Sequence, residues 1–294
     1  MTAEARLPPD SLRRVAVIGA GTMGHGIAQV AAMAGYETRL MDADGDVLGS
    51  ACERIRSNLA GAVSRGKLTQ AQADAAVANL PPAGQLETAA RDADLILEAI
   101  VEDLAVKQSL FQRLDAIVPD GAILATNTSS LSIARIAEAT KSPSRVVGMH
   151  FFNPVHIMRL VEIVTHGRCA DAVVAAARVA AERMGKTTIV VRDTPGFASS
   201  RLGVALGLEA MRMLEEGVAS AADIDTAMEL GYGHPMGPLR LSDLVGLDIR
   251  LRIAEYLHRE LRDEKFAPPR ILREKVKRGE LGKKTGKGFY EWSE

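Results

Sequence analysis

The sequence predicts an α/β domain with a mostly parallel sheet, followed by an all-helical domain. Two observations support this prediction. Short runs rich in β-branched residues alternate with helix-spaced segments along the first two thirds of the chain, a pattern typical of parallel sheets with helices on both faces. After about Arg192, only helix-spaced apolar residues occur. We therefore predict two domains, residues 1–192 and 193–294.

The predicted strands of the first domain are short and apolar, as strands buried on both faces are. In chain order they are residues 14–19, 36–42, 94–100, 122–127, 145–151, 159–164 and 187–191. An Ala-rich helix follows the first strand and ends at Gly35, because glycine accepts the left-handed conformation that closes many helices. Amphipathic spacing predicts further helices over residues 46–65 and 106–118.

The second domain reads as helices over residues 195–217, 221–230, 239–261 and 269–278. Their apolar positions, among them Leu244, Leu247, Ile249 and Ile253, are more than so small a domain can bury alone. We therefore expect a homodimer formed through this domain.

Composition excludes several classes of protein. The 294 residues carry a net charge of -1, so no global basic field favours nucleic acid. No apolar run approaches the roughly 20 residues that a membrane span requires, and the polar N-terminus reads as a short disordered arm rather than a targeting segment. Cys52 and Cys169 match no metal or redox spacing. A reduced, cytoplasmic location is expected.

A glycine-rich turn follows the first predicted strand. In "VIGAGTMG", Gly19, Gly21 and Gly24 have the G-x-G-x-x-G spacing and open a helix. These glycines permit a tight turn, a close approach of pyrophosphate to the backbone, and close packing of helix on sheet, while the helix N-terminus attracts phosphate. We predict a Rossmann-type dinucleotide site lined by these glycines and Met23. A glycine-rich turn without ligand is the alternative.

Asp42 ends the second predicted strand, 18 residues after Gly24. An acid at this distance accepts hydrogen bonds from a ribose 2′-hydroxyl. It would repel a 2′-phosphate, Asp44 would add to the repulsion, and no arginine directly follows Asp42. The predicted cofactor is therefore NAD rather than NADP.

An ionisable pair lies at the two ends of the apolar stretch "HFFNPVHIMRLVE". His150 is near the carboxyl end of a predicted strand, where open α/β sheets bind ligands. The Asn-Pro turn signal predicts a reversal that brings Glu162 next to it. A carboxylate on one imidazole nitrogen sets the tautomer, so that the other nitrogen can act as a general base. The alternative is a structural buried histidine.

Polar residues also follow the strand that ends at Asn127, in "NTSSLSI". A serine there can hydrogen-bond a substrate oxygen, or it can cap the helix that begins near Ser132. The remaining histidines have no partner at a suggestive spacing, and His150 with His156 matches no usual zinc spacing. We predict no metal.

Taken together, seven segments resemble the 3-hydroxyacyl-CoA dehydrogenases of the bacterial single-function type. They are "GAGTMGHGIAQVAA", "EAIVEDLAVKQSLF", "NTSSLSI", "HFFNPVHIMRLVEIV", "DTPGF", "DIDTAMELGYGHPMGP" and "GKKTGKGFY". The resemblance spans Gly19 to Tyr290 and implies a dinucleotide-binding domain with a helical dimerisation domain. It implies NAD-dependent oxidation of an (S)-3-hydroxyacyl-CoA to the 3-oxoacyl-CoA, or the reverse reduction, on a short chain such as 3-hydroxybutyryl-CoA.

The resemblance also assigns site residues. It makes His150 the base, Glu162 its partner and Ser129 a contact of the substrate hydroxyl. It places four residues around the dinucleotide: Glu102, Lys107, Asn153 and Lys284. Arg65 or Lys67 would contact coenzyme A.

One position departs from the family pattern. Ser200 stands before Arg201 where the family usually has an asparagine that helps to hold the substrate. Because His150 and Glu162 are present, we expect an active variant rather than an inactive enzyme, and the family's substrate preference is not carried over to it. The alternatives are a 3-hydroxyadipyl-CoA dehydrogenase, a crystallin-related sugar-acid dehydrogenase, or a non-catalytic NAD-binding protein. Dehydrogenases of the 3-hydroxyisobutyrate type use a lysine as acid or base, which the "HFFNP" segment argues against.

Overall fold

The computed structural model describes residues 11–292, so residues 1–10 of the predicted N-terminal arm lie outside the described residues. By its contacts the chain divides into two compact units, Met1–Asp193 and Thr194–Glu294.

The first unit contains an eight-stranded sheet with the strand order β3-β2-β1-β4-β5-β6-β7-β8. All neighbouring strands are parallel except β6 and β7, which are antiparallel. The predicted mostly parallel sheet is confirmed, and the sequence prediction missed only the two-residue edge strand β3. The strands are β1 Arg14–Ile18, β2 Glu37–Met41, β3 Pro82–Ala83, β4 Leu95–Glu98, β5 Ile123–Thr126, β6 Val146–Phe151, β7 Leu160–Thr165 and β8 Thr187–Arg192.

Helices connect these strands. The predicted helices after β1, β2 and β4 are confirmed to within two residues, and Gly35 adopts a left-handed φ of 79° just after the first of them. Three helices were not predicted: α3, α4 and α7. The bounds are α1 Gly24–Met33, α2 Gly45–Ser64, α3 Gln70–Ala78, α4 Leu86–Ala90, α5 Leu104–Ile117, α6 Ile133–Ala137 and α7 Asp171–Arg183.

The core of this unit lies between the central strands and their helices. Val15 and Val17 of β1, Leu95 of β4 and Ile27 of α1 are all at most 1% exposed. Because β1 and β4 are covered on both faces, their sequences are continuously apolar rather than alternating.

The second unit is helical, and one predicted helix is wrong. The helix expected over residues 239–261 is two helices, because Gly246 adopts a φ of 104° that L-residues rarely accept and so interrupts it. A short turn near the C-terminus forms isolated β-bridges that lie outside the named strands. The helices are α8 Ser199–Glu215, α9 Ala221–Tyr232, α10 Pro238–Val245, α11 Leu247–Leu261 and α12 Arg270–Lys277.

The apolar residues of this unit divide between a core and its surface. Leu247 is fully buried in the unit's own core, so the expectation that it lacks cover is wrong. Ile253 packs partly against the same core. Leu244 and Leu202, in contrast, are 46% and 71% exposed. In residues 11–292, no helix combines the length and the apolar character that crossing a bilayer demands.

Candidate active site

The glycine-rich turn between β1 and α1 has the geometry that the three glycines require. Gly19 has a φ of 99°, and a Cβ on Gly24 would lie 1.7 Å from the carbonyl oxygen of Gly19. A Cβ on Gly21, in contrast, would meet no atom within 4 Å. Gly19 and Gly24 are therefore required by the fold itself, while Gly21 leaves open space over the turn, as the approach of a pyrophosphate demands.

The N-terminus of α1 and the end of β2 complete this part of the site. No side chain of the described residues caps α1, which leaves its first turn available for phosphate. Asp42 is held beside the turn because its Oδ2 accepts the Ala20 N–H at 2.7 Å and its Oδ1 accepts the Asp44 N–H at 3.0 Å. The Asp44 carboxylate caps α2 by accepting two backbone N–H groups.

A cavity of about 580 Å³ adjoins Asp42. This volume is in the range of small-molecule sites. Its walls are mostly apolar and come from the ends of β1, β2 and β4 and from α4 and α5. They include Ile18, Gly19, Met41, Asp42, Leu86, Ile100 and Val106. The shape and chemistry of this edge therefore fit a dinucleotide whose ribose lies against Asp42.

His150 and Glu162 are directly paired across the antiparallel strands β6 and β7. His150 Nδ1 lies 2.7 Å from Glu162 Oε2, and the two residues are 6% and 0% exposed. The ring of Phe152 lies against the imidazole, with ring centroids 4.5 Å apart. The reversal that the Asn-Pro signal predicts is thus confirmed. With Nδ1 donating to the carboxylate, Nε2 is the nitrogen that can accept a proton.

The ends of β5 and β6 are joined by a side chain. Asn127 Oδ1 accepts the backbone N–H of Phe151 at 2.9 Å, the residue after His150. Because β5 and β6 are parallel neighbours, the polar segment after β5 and His150 lie at the same edge of the sheet.

A buried ion pair at the end of β4 was missed by the sequence analysis. Glu98 is 0% exposed and accepts hydrogen bonds from Lys107 Nζ at 2.6 Å, Thr126 Oγ1 at 2.6 Å and the Ile100 N–H at 2.7 Å. Glu98 lies within an apolar strand, so an acid in that run was the available signal. The ammonium of Lys107 points inward to Glu98, and its predicted contact with a dinucleotide stays a prediction.

Glu102 links this pair to the serine cluster. Its Oε2 lies 3.5 Å from Lys107 Nζ, and its Oε1 accepts from Thr128 Oγ1 at 2.5 Å and from the Ser129 N–H at 3.0 Å. Ser129 Oγ lies 3.3 Å from the same oxygen. Ser132 caps α6. The capping interpretation is confirmed for Ser132, while the contact of Ser129 with a substrate stays a prediction.

The structure shows where the other predicted site residues lie but does not test their roles. Asn153 is exposed in the loop after β6, while Arg65 ends α2 and Lys67 follows it, both exposed. Ser200 lies in the first turn of α8 in the second unit. Lys284, in the same unit, pairs with Asp248 at 2.5 Å. Within residues 11–292, no group of three or more His, Cys, Asp or Glu side chains could hold a metal ion.

A glycine turn after the first strand, an acid at the end of the second strand and a carboxylate-held histidine are the features of an NAD-dependent dehydrogenase. Two family models match the chain: "3-hydroxyacyl-CoA dehydrogenase, NAD binding domain" over residues 14–194, and "3-hydroxyacyl-CoA dehydrogenase, C-terminal domain" over residues 196–292. The chain belongs to the 3-hydroxyacyl-CoA dehydrogenase family of oxidoreductases.

Three relatives illustrate the similarity. The "Probable 3-hydroxybutyryl-CoA dehydrogenase" of Bacillus subtilis is 43% identical over 96% of this chain and 98% of that protein. The "3-hydroxyadipyl-CoA dehydrogenase" of Escherichia coli is 41% identical over 96% of this chain and 59% of that protein. The crystal structure of (S)-3-hydroxybutyryl-CoA dehydrogenase from Ralstonia eutropha superposes with a TM-score of 0.93 at 38% identity, covering 97% of this chain and all of that one.

Proposed function

We propose that this chain catalyses the NAD-dependent oxidation of a short-chain (S)-3-hydroxyacyl-CoA, such as 3-hydroxybutyryl-CoA, to the 3-oxoacyl-CoA, and the reverse reduction. The observation that carries the proposal is the buried pair of His150 and Glu162 at 2.7 Å, at the sheet edge that also presents the glycine turn and Asp42. A purely structural histidine would not need to lie at this edge.

The chemistry follows from Nε2 of the imidazole, the nitrogen that does not face Glu162. NAD, when bound, accepts the hydride from carbon 3 of the substrate. His150 Nε2 accepts the proton of the 3-hydroxyl, so that the C–O bond becomes a carbonyl and the imidazole becomes positively charged. Glu162, buried against Nδ1, stabilises that charge. In the reduction His150 returns the proton to the oxygen.

Ser129 is proposed to contact the substrate oxygen. Its support is the hydrogen bond of its N–H with Glu102 at 3.0 Å, which holds Ser129 at the end of β5. Asp42 is proposed to bind the ribose, and the glycines with Met23 the pyrophosphate. Glu102, Lys107, Asn153 and Lys284 complete the proposed cofactor site.

The test is the exchange of His150 for glutamine. We expect His150→Gln to leave the Kd for NAD nearly unchanged and to lower kcat by roughly 10²–10⁴-fold, the usual contribution of a general base. His166→Gln is the matched control, because His166 is also buried and bonds the carbonyl of Val146 in the same strand. Equal kcat values for His150→Gln and the unmodified enzyme would refute the proposal.

A second candidate substrate is a dicarboxylic thioester such as 3-hydroxyadipyl-CoA. The similarity to the Escherichia coli relative, 41% identical over 96% of this chain, favours this candidate. A comparison of kcat/KM for acetoacetyl-CoA, longer 3-oxoacyl thioesters and 3-oxoadipyl-CoA separates the two. Arg65 and Lys67 are the proposed contacts of coenzyme A, and replacing both with alanine is expected to raise KM rather than lower kcat.

We also propose a cytoplasmic homodimer that forms through the helical unit. The two free cysteines support a reduced compartment. The exposed apolar residues of the helical unit support the dimer, and they include Leu202, Leu230, Tyr232 and Leu244. Sedimentation as a monomer at micromolar concentration would exclude the dimer.

A further inference from the structure

Lys186 is a buried lysine directly before β8, and neither the glycine turn nor the histidine pair uses it. Its side chain is 8% exposed, and its ammonium donates to the backbone carbonyls of Val155 and Met158, the latter at 2.9 Å. Burial lowers the pKa of the Lys186 ammonium below its ordinary value. In the described part of the chain, no carboxylate forms an ion pair with it.

Both carbonyls belong to the loop of residues 152–159, which joins β6 to β7. Within this loop the carbonyl of Pro154 accepts the N–H groups of Ile157 at 3.0 Å and Met158 at 2.9 Å. The Thr187 N–H donates to the Arg159 carbonyl at 2.7 Å. Lys186 and Thr187 therefore hold the loop at three of its carbonyls.

The other side of the loop is fixed by α1. Val155 is 2% exposed, and a Cβ on Gly26 would lie 2.8 Å from its Cβ. The loop is thus held between the phosphate-facing helix and Lys186. His150 and Glu162 lie at its two ends, and the predicted cofactor contact Asn153 lies within it.

Electrostatics in this region disfavour an ammonium. A buried charge without a counter-ion costs free energy that hydrogen bonds to carbonyls only partly offset. Burial, and then the neighbouring basic residues His25, Lys186 and Arg65, lower the pKa of His156 in this loop. An apolar side chain of similar length would fill the same space without the free-energy cost of a buried charge.

We propose that Lys186 is a positioning residue of the dehydrogenase, whose ammonium fixes the loop so that His150 and Glu162 keep their pairing. This inference rests on the proposed function. Lys186 acts through the backbone, and the loss of its donors releases the Val155 and Met158 carbonyls and lets β7 move against β6.

The experiment compares Lys186→Met with Arg183→Met. Arg183 is the matched control because it is a cation three residues away that also donates to backbone carbonyls, those of Leu12, Ala34 and Gly35, remote from the loop. Both variants are expected to lower the Tm. Only Lys186→Met is expected to lower kcat, by at least tenfold, with a Kd for NAD within a factor of three of the unmodified enzyme.

A spectroscopic measurement gives a second result that does not depend on turnover. The Nδ1 proton between His150 and Glu162 should give a low-field proton resonance that is missing in His150→Gln. We expect Lys186→Met to shift or broaden this resonance, and Arg183→Met to leave it in place. An unchanged resonance together with an unchanged kcat in Lys186→Met overturns the inference.

The experiment also covers two other outcomes: an unmodified enzyme without activity, and a Lys186→Met variant that does not fold. If the unmodified enzyme turns over no 3-hydroxyacyl-CoA, the proposed function fails, while the resonance still tests the role of Lys186. If Lys186→Met does not fold, Lys186→Gln replaces it, because glutamine is too short to reach both carbonyls. A folded Lys186→Gln with full kcat and an intact resonance then overturns the inference.

Discussion

Replacement of Glu162 by glutamine changes one charge and almost no volume. In the unmodified enzyme, Glu162 Oε2 lies 2.7 Å from His150 Nδ1 and is fully buried, so the carboxylate accepts the Nδ1 proton. An amide at this position has no negative charge. If its NH₂ group faces Nδ1, the imidazole proton must move to Nε2, and that nitrogen can no longer act as a base.

The magnitude follows from the burial of the pair. Removing one partner of a buried charge pair costs about 3–5 kcal/mol, and in the proposed mechanism that loss falls on the protonated imidazole of His150. Since about 1.36 kcal/mol corresponds to tenfold in rate, we expect kcat to fall by roughly 10²–10⁴-fold. The Kd for NAD should change little, because Glu162 lies in β7, away from the glycine turn.

The assay follows NADH absorbance with 3-hydroxybutyryl-CoA and repeats it with acetoacetyl-CoA in the reverse direction. Glu182→Gln is the control, a helix glutamate that pairs with Arg178 at the surface. The double variant His150→Gln/Glu162→Gln should lose no more activity than His150→Gln alone, because the two residues act as one unit. A kcat within twofold of the unmodified enzyme, or additive losses, would refute this reasoning.

Three further predictions follow from the site. Asp42→Ala should narrow the preference for NAD over NADP by about tenfold in kcat/KM, which corresponds to about 1.4 kcal/mol; equal use of both cofactors by the unmodified enzyme would contradict the role of Asp42. Glu98→Leu should lower the free energy of unfolding by about 3–5 kcal/mol in denaturant titrations, because the buried Lys107 loses its buried partner and keeps only the partly exposed Glu102 carboxylate, 3.5 Å away, and adding Lys107→Met should recover most of the loss. Ser200→Ala should lower kcat/KM by roughly 5- to 150-fold, the equivalent of about 1–3 kcal/mol for an unpaired polar group, whereas an equal loss in Ser199→Ala would show that Ser200 does not replace the family's asparagine.

Local patterns in the sequence were sufficient for most of the fold and for part of the site. The glycine spacing and Asp42 depend on a single β-α-β unit, whose geometry is set by neighbouring residues, and the structure places them as expected. The pairing of His150 with Glu162 was also predictable, because only a short loop with a clear turn signal separates them. In each case the interacting groups are close in the chain.

Tertiary structure decided the features that join distant segments. The sequence alone did not indicate that Glu98 would bond both Lys107 and Thr126 in the interior. Nor did it indicate that Glu102 would bond the segment after β5, because both arrangements require two parallel strands to be adjacent. Gly246 interrupts a run with helical spacing, which a pattern of apolar residues does not reveal.

The burial of Lys186 was also decided by tertiary structure rather than by local sequence. A lysine beside a glycine usually indicates an exposed turn, since burying a charge is costly. Here β8 pairs with β7 and brings Lys186 beneath the loop of residues 152–159. The local spacing of apolar and turn residues determined most of the strands and helices. Which charges become buried, and against which partners, depended on the packing of the sheet.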